Sequence, residues 1–537
     1  MQTQLKGFKK FIADTRVDED IVQPTIAVLV AREKERTGIE KMPFFSDMIK
    51  TENGETHQYV NYVQEGGGVL GVALVGYTYV LEKMGIRFLK LAGTSAGAIN
   101  TMMLAAVDKK NYTTAEKELN ETFTTKSEII LYEMLNYDLW NLVDGSKFGK
   151  WLISMAIKAK NNLKLIIKVL LFSLVIALVS SLAFGLVSLF TTERNGLMES
   201  VKWGTKIVSL TAVSAVLILG IVGGIMAYYL KKFSKSSFGI NPGKKFHEWM
   251  TDILHRNGVQ TKDDLDVKMA ESFKGVQLSP ERKAMNYRND DDTVAPPFLT
   301  IIASDITNQT KVEFPLMASE YWVEPGKVNP ADYVRASMSI PLFFEPFKID
   351  VTEVLQRKNT DTQLKAFVEN QRTVEQKIVQ FVDGGILSNF PINVFHNPKI
   401  EWARMPTFGV KLEDEDHEKP EDKKAKVAVK PKSKLGPFLG SILSTIRFYY
   451  DRDFLKRNMI YETCIAHIDV EGINWLDFGM KEETQKKLFL QGAKAAKTFF
   501  LGSEIGGQFW VDGKEKPFKA YDWEEFKKER QKMVMGN

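Results

Sequence analysis

Lys90-Leu-Ala-Gly93-Thr-Ser95-Ala-Gly97-Ala-Ile-Asn100 opens on a short apolar run, places a serine between two glycines and continues into helix-forming residues as far as Ala106. Such a run reads as a strand, a tight turn and a helix, with Ser95 at the apex. A hydroxyl in that position stands beside a helix N-terminus whose partial positive charge favours a developing anion, while Gly93 and Gly97 permit the tight backbone. This is the pattern of a nucleophile elbow. A glycine-rich turn without chemistry is the plain alternative, and two further stretches bear on the choice.

Upstream, His57 to Gln64 reads as a strand that runs into Glu65-Gly66-Gly67-Gly68-Val69-Leu70-Gly71, with an amphipathic helix over Val69 to Met84. Consecutive glycines between a strand and a helix leave backbone N–H groups free, and such a loop can hold negative charge that appears in a transition state. Gly66-x-Gly68-x-x-Gly71 also fits a dinucleotide fingerprint letter for letter. Against that, the next strand, Ile86 to Ala92, delivers the serine, and no acidic residue stands at its end to take a ribose. Downstream, Ile378 to Val382 reads as a buried strand that ends in Asp383-Gly384-Gly385. A carboxylate at a strand end, beside glycines that let another segment approach, can accept a proton from a serine directly. Taken alone, Asp-Gly-Gly is more readily a turn.

In order and spacing these three blocks resemble the patatin-like phospholipase family, and Arg335-Ala-Ser337-Met-Ser339-Ile-Pro341-Leu-Phe-Phe344-Glu-Pro346 looks like a fourth block of the same family. The resemblance covers residues 57–156 and 237–500. It implies an α/β fold, three-layer α/β/α, a Ser-Asp dyad in place of a triad, and hydrolysis of lipid acyl esters with no cofactor and no metal. Position by position it implies Ser95 as nucleophile and Asp383 as base. It further implies an oxyanion hole in the loop of Gly66, Gly67, Gly68 and Gly71, with the N–H groups of Gly67 and Gly68 as donors. Gly93 and Gly97 then shape the elbow, and Gly384 and Gly385 complete the proton-acceptor motif. The chain departs from the family at Leu70, where an arginine or lysine usually precedes the last glycine of the loop. A cation there raises the potential at the oxyanion, so its absence means weaker catalysis or compensation from elsewhere.

Composition excludes several classes. The chain has 537 residues, and 72 basic against 67 acidic residues give a net charge of +5, too balanced for the footprint of a nucleic-acid binder. The single cysteine, Cys464, rules out an intrachain disulfide and a cysteine-based metal site. Met1 to Lys10 has no apolar core and no small-residue cleavage site, so it does not read as a secretory signal.

Two stretches stand apart: Val169 to Phe190 and Ile207 to Leu230 carry no charge over 22 and 24 residues. Helices of that length span about 33 and 36 Å at 1.5 Å per residue, enough to cross a hydrocarbon core of about 30 Å. They read as a transmembrane hairpin, with helices over about 165–190 and 207–230. Lys158, Lys160, Lys164 and Lys168 precede it and Lys231, Lys232 and Lys235 follow it, while the connecting loop balances Arg194, Lys202 and Lys206 against Glu193 and Glu199. The positive-inside rule then puts both ends of the hairpin, the catalytic domain and both termini in the cytoplasm.

The expected organisation is an N-terminal extension over 1–56, a first catalytic part over 57–156, the hairpin over 157–236, a second catalytic part over 237–506 and a tail over 507–537. Residues 413–434, acidic and then lysine-rich, read as a disordered loop. The expected partners are membrane phospholipid as substrate and the lipid bilayer, with self-association into a homo-oligomer left open. Two other readings compete. In one, His396 or His467, each following Asp305 or Asp383, completes a Ser-His-Asp triad in α/β-hydrolase order; in the other, Leu70 marks a degenerate hydrolase that serves as a membrane scaffold or gated effector.

Overall fold

The apolar runs around Ser95 and Asp383 become neighbouring strands of one mixed sheet in a computed structural model of the chain. It describes residues 10–52, 54–119, 122–145, 203–204, 237–285, 298–360, 376–400, 402–413, 435–502, 509–511, 514–516 and 519–535. The strands of the sheet are β1 (Met48–Glu52), β2 (Glu55–Gln64), β3 (Ile86–Thr94), β4 (Gln277–Leu278), β5 (Phe298–Asp305), β6 (Thr310–Phe314), β7 (Phe347–Asp350), β8 (Ile378–Asp383), β9 (Thr407–Glu413) and β10 (Ile465–Asp469). The main path across the sheet is β10-β9-β2-β3-β5-β8-β7. From β10 to β5 all neighbours are parallel. Strands buried on both faces carry near-continuous apolar sequence, which is why β3 and β5 stand out in the sequence.

β8 breaks the parallel pattern, and the break positions the site. β3 pairs with β5 as far as Thr94 opposite Ile302. Antiparallel to β5, β8 pairs Asp383 with Ala303, Val382 with Ser304 and Phe381 with Asp305. β6 already occupies the other edge of β5 from Ile301 to Asp305, so β3 and β8 share one edge and meet end to end. Their last residues, Thr94 and Asp383, face consecutive residues of β5. Ser95, the next residue after Thr94, is thereby delivered to the end of β8 by strand register alone.

The helices that matter here are α1 (Gln23–Thr37), α2 (Gly71–Lys83), α3 (Ala96–Ala106), α4 (Lys126–Leu135), α5 (Lys244–Arg256), α6 (Lys262–Ser272), α7 (Ala331–Ser337), α8 (Leu435–Arg457) and α9 (Glu482–Leu501). α2 is buried along nearly its whole length, and α9 packs directly on it. At the crossing a Cβ on Gly76 would overlap the Phe489 carbonyl, and one on Gly492 the Ala73 carbonyl, so both glycines are needed for the backbones to touch. Thr125 and Glu128 form a reciprocal capping box that starts α4.

The chain divides into two compact units, Met1–Asp144 with Gly243–Asn537, and Gly145–Pro242. The first holds the sheet. In the second, the Gly145 N–H donates to Asn241 Oδ1 at 2.9 Å. The expectation of an integral membrane protein with two transmembrane helices and a cytoplasmic catalytic domain is corrected here. Among the described residues no helix is long and apolar enough to cross a membrane. The longest of them, α8 and α9, are both interrupted by charge: α8 carries Arg447, Asp451, Arg452 and Asp453, and α9 carries Lys486, Lys487, Lys494 and Lys497. The stretches 165–190 and 207–230 themselves, and the charged loop 414–434, lie outside the described residues.

Candidate active site

Ser95 sits between the last residue of β3 and the first of α3 at φ 53° and ψ −116°, a backbone state that a residue with a side chain holds only when its surroundings impose it. The Ser95 N–H donates to Ser337 Oγ at 2.9 Å, and the Ser95 carbonyl accepts the Ile99 N–H at 3.2 Å. Gly93 and Gly97 provide the space for this turn: a Cβ on the first would overlap the Gly97 carbonyl, and one on the second the Gln64 carbonyl. Thr94 Oγ1 donates to the Ser388 carbonyl at 3.0 Å, tying the end of β3 to the loop that follows Asp383.

Asp383 is 7 % exposed and Ser95 5 %. The Asp383 N–H donates to the Ser339 carbonyl at 2.9 Å, and Oδ1 accepts the Gly385 N–H at 2.8 Å. Oδ2 is buried and has no hydrogen-bond partner among the described residues. Burial pushes this carboxyl above its ordinary range, while the Ser95 hydroxyl, the Gly385 amide and the Arg447 guanidinium pull it back down. Ser95 follows Thr94, which faces Ile302 of β5, next to the Ala303–Asp383 pair, so hydroxyl and carboxyl are carried on the same end of the sheet. Among the described residues no histidine is hydrogen-bonded to either oxygen of this carboxyl. His396 Nδ1 is bonded to the Tyr461 hydroxyl at 2.9 Å, and His467 Nδ1 to Glu413.

In the glycine loop the amides divide into used and free. The Gly66 N–H donates to the Asn389 carbonyl at 3.0 Å, the Val69 N–H to the Trp475 carbonyl at 3.0 Å and the Leu70 N–H to the Gly67 carbonyl at 3.1 Å. The N–H groups of Gly67 and Gly68 donate to nothing among the described residues. Gly68 adopts φ +57° with the Trp475 carbonyl against it, where any Cβ would overlap. Gly71 is the first residue of α2.

Three polar residues that sequence reasoning missed hold these parts in register. Asn389 Nδ2 donates to Glu65 Oε1 at 3.1 Å and to the Gly66 carbonyl at 3.2 Å. Glu65 Oε2 accepts the Leu412 N–H at 2.7 Å. Asp451, on α8, accepts Ser388 Oγ at 2.7 Å and the Phe390 N–H at 2.8 Å. Burial raises both carboxyls, that of Asp451 to about 6. Asn389 lies in the segment that follows Asp383 and its place there was a readable signal. Asp451 sits in an aromatic helix far along the chain and had none.

Beside Ser95 lies a cavity of about 40 Å3 walled by Ile99, Leu142, Phe246, Trp249, Ile340 and Phe478. Its wall is apolar, and such a wall favours hydrocarbon over a polar group. Phe246 and Trp249, both buried, come from a stretch that from sequence reads only as a helix start.

The model of the patatin-like phospholipase family matches residues 63–216 and 222–396. The uncharacterized protein YqhO of Bacillus subtilis (strain 168) is 25% identical over 441 residues, covering 82% of this chain and 98% of YqhO. Among solved structures, VipD from Legionella pneumophila is a distant likeness at 14% identity and a TM-score of 0.33, over 87% of this chain and 72% of that one. Since the family match spans more than half of its length, the chain belongs to the patatin-like phospholipases and is a lipid acyl hydrolase, an enzyme of the carboxylic ester hydrolase class.

Proposed function

We propose that the protein cleaves acyl esters of phospholipids, as a phospholipase A does, through a Ser95–Asp383 dyad on a three-layer α/β/α frame. Asp383 Oδ2 takes the Ser95 proton as Oγ attacks the ester carbonyl. The tetrahedral oxyanion is held by the N–H groups of Gly67 and Gly68 and by the N-terminus of α3. Collapse breaks the ester C–O bond, and the proton on Asp383 passes to the departing lysolipid oxygen. Water, deprotonated by Asp383, then attacks the acyl-serine and releases the fatty acid.

The observation that carries this is the strand register that brings Ser95 to the end of β8, where the buried Oδ2 of Asp383 has no hydrogen-bond partner among the described residues. A carboxyl raised by burial is a stronger base than an exposed aspartate, which suits proton abstraction from an alcohol. The two free glycine amides and the apolar cavity support the same reading.

Release of fatty acid from phosphatidylcholine vesicles tests it. Ser95→Ala and Asp383→Asn each reduce the rate by about three orders of magnitude or more while circular dichroism stays unchanged. A His396→Ala/His467→Ala double variant keeps its rate. Undiminished release by either dyad variant overturns the proposal.

A further inference from the structure

A second cavity, of about 430 Å3, lies far from the serine. β3 feeds it with Arg87 and Phe88 from the end opposite Ser95 and with Leu91 from mid-strand, and α3 feeds it with Leu104 and Ala105 from its far end. At about 3.3 Å per residue along the strand, Arg87 is about 26 Å from the elbow, so this is a separate site. Its volume falls in the range of pockets that hold small ligands.

The lining is amphiphilic. Leu91, Leu104, Phe123, Ile129 and Met269 form an apolar wall, and five cations, among them Arg87, Lys126 and Lys268, line the same space with the four carboxylates of Glu52, Glu82, Asp108 and Glu271. Two of the cations, Lys126 and Arg87, form no ion pair within 4.0 Å among the described residues. Lys126 Nζ donates to the Leu104 carbonyl at 2.6 Å, and Arg87 Nη1 to the carbonyls of Glu82 and Ile86 at 2.8 and 2.9 Å. A carbonyl satisfies a hydrogen bond but leaves the charge standing. The nearby Glu82 carboxylate is engaged by the backbone amides of Ser127 at 2.7 Å and Lys126 at 3.4 Å. Asp108 is 3.9 Å from Lys268, and Glu52 pairs with Lys50 at 2.5 Å. Burial, with Lys268 and Arg87 nearby, brings the Lys126 amine down to about 8 even though Glu82 and Asp108 pull it up. Cations gathered in this way are stabilised by an anion that enters between them.

We propose that this cavity binds a single-chain anionic amphiphile, with its head on Arg87 and Lys126 and its chain against Leu91, Phe123, Ile129 and Met269. A fatty acid and a lysophosphatidate share that chemistry. The inference does not rest on the proposed dyad, because binding needs no turnover.

The test uses the full chain carrying Ser95→Ala, titrated calorimetrically with dodecanoate, dodecanoyl lysophosphatidate and inorganic phosphate below micellar concentrations. At least one lipid binds at a saturable site, and Arg87→Gln/Lys126→Gln weakens that binding by roughly tenfold or more, as expected for two lost charge-assisted hydrogen bonds. Ser272→Trp, at an exposed lining position, obstructs the cavity and weakens binding without touching the core, which guards against a misfolded charge variant. The tighter of the two lipids identifies the headgroup. The proposal is overturned by undiminished affinity in these variants, by no saturable lipid binding, or by phosphate alone binding as tightly as either lipid.

Discussion

The backbone N–H of Ser95 donates to the hydroxyl of Ser337 at 2.9 Å. Two residues further on, the Ser339 carbonyl accepts the N–H of Asp383 at 2.9 Å. One short segment at the end of α7 thus grips the backbones of both proposed catalytic residues, and the Ala-Ser-x-Ser-Ile-Pro block has a physical reason to accompany them. Ser337→Ala leaves the Ser95 N–H buried and unsatisfied, which costs about 1–3 kcal/mol. The melting temperature falls accordingly, and kcat drops by about tenfold with little change in KM, because the nucleophile is displaced while the acyl cavity is intact. An unchanged kcat means that the segment does not position Ser95.

The backbone of Ser95 is strained, and the strain is measurable. A side chain at φ 53° and ψ −116° carries about 1–3 kcal/mol that glycine does not. Ser95→Gly and Ser95→Ala are both inactive, but the glycine variant resists urea better than the alanine variant by about 1 kcal/mol or more. Equal midpoints mean that the turn relaxes in solution.

The glycine loop offers a paired comparison. A Cβ at Gly68 overlaps the Trp475 carbonyl and adds a positive φ, whereas a Cβ at Gly71 finds its nearest neighbours, Ala96 and Met134, at an ordinary 3.6 Å. Gly68→Ala therefore displaces a free amide and lowers kcat by about a hundredfold, the usual cost of losing one oxyanion donor. Gly71→Ala keeps most of its activity and gains about 0.5–1 kcal/mol of stability as a helix residue. The reverse ranking in steady-state kinetics places the anion site nearer α2.

How much of this was readable beforehand divides along local and long-range lines. β3 and β8 were legible because each is an apolar run that leads into glycines, and α3 because helix-forming residues follow the elbow directly, signals carried by adjacent residues. Thr125-Lys-Ser-Glu128 carries a capping-box signature that marks the start of α4. β9 was missed because its apolar half, Thr407 to Val410, leads straight into the acidic run at Glu413. The antiparallel entry of β8, which brings Asp383 to Ser95, depends on strand register across about 80 residues, and no local pattern encodes it. The contacts of Ser337, Asn389 and Asp451 are of the same long-range kind.

Asp451 makes a pH-dependent prediction whose sign is fixed. Its carboxyl, buried and facing the charge of Glu65, is raised from 3.8 to about 6, so the folded state holds the proton more tightly than the unfolded chain. The stabilisation from protonation is fully present below pH 3.8 and is lost as pH rises through 6. Ionising this one group costs about 3 kcal/mol at 1.36 kcal/mol per pKa unit. Asp451→Asn cannot ionise. It sacrifices part of the grip on Ser388 and Phe390 at every pH, but its stability relative to the wild type improves by up to about 3 kcal/mol between pH 4 and pH 7 and then levels off. Urea midpoints of the two proteins across that range measure the difference directly. A constant offset would show that Asp451 titrates in its ordinary range and that α8 holds the Asp383 loop without cost.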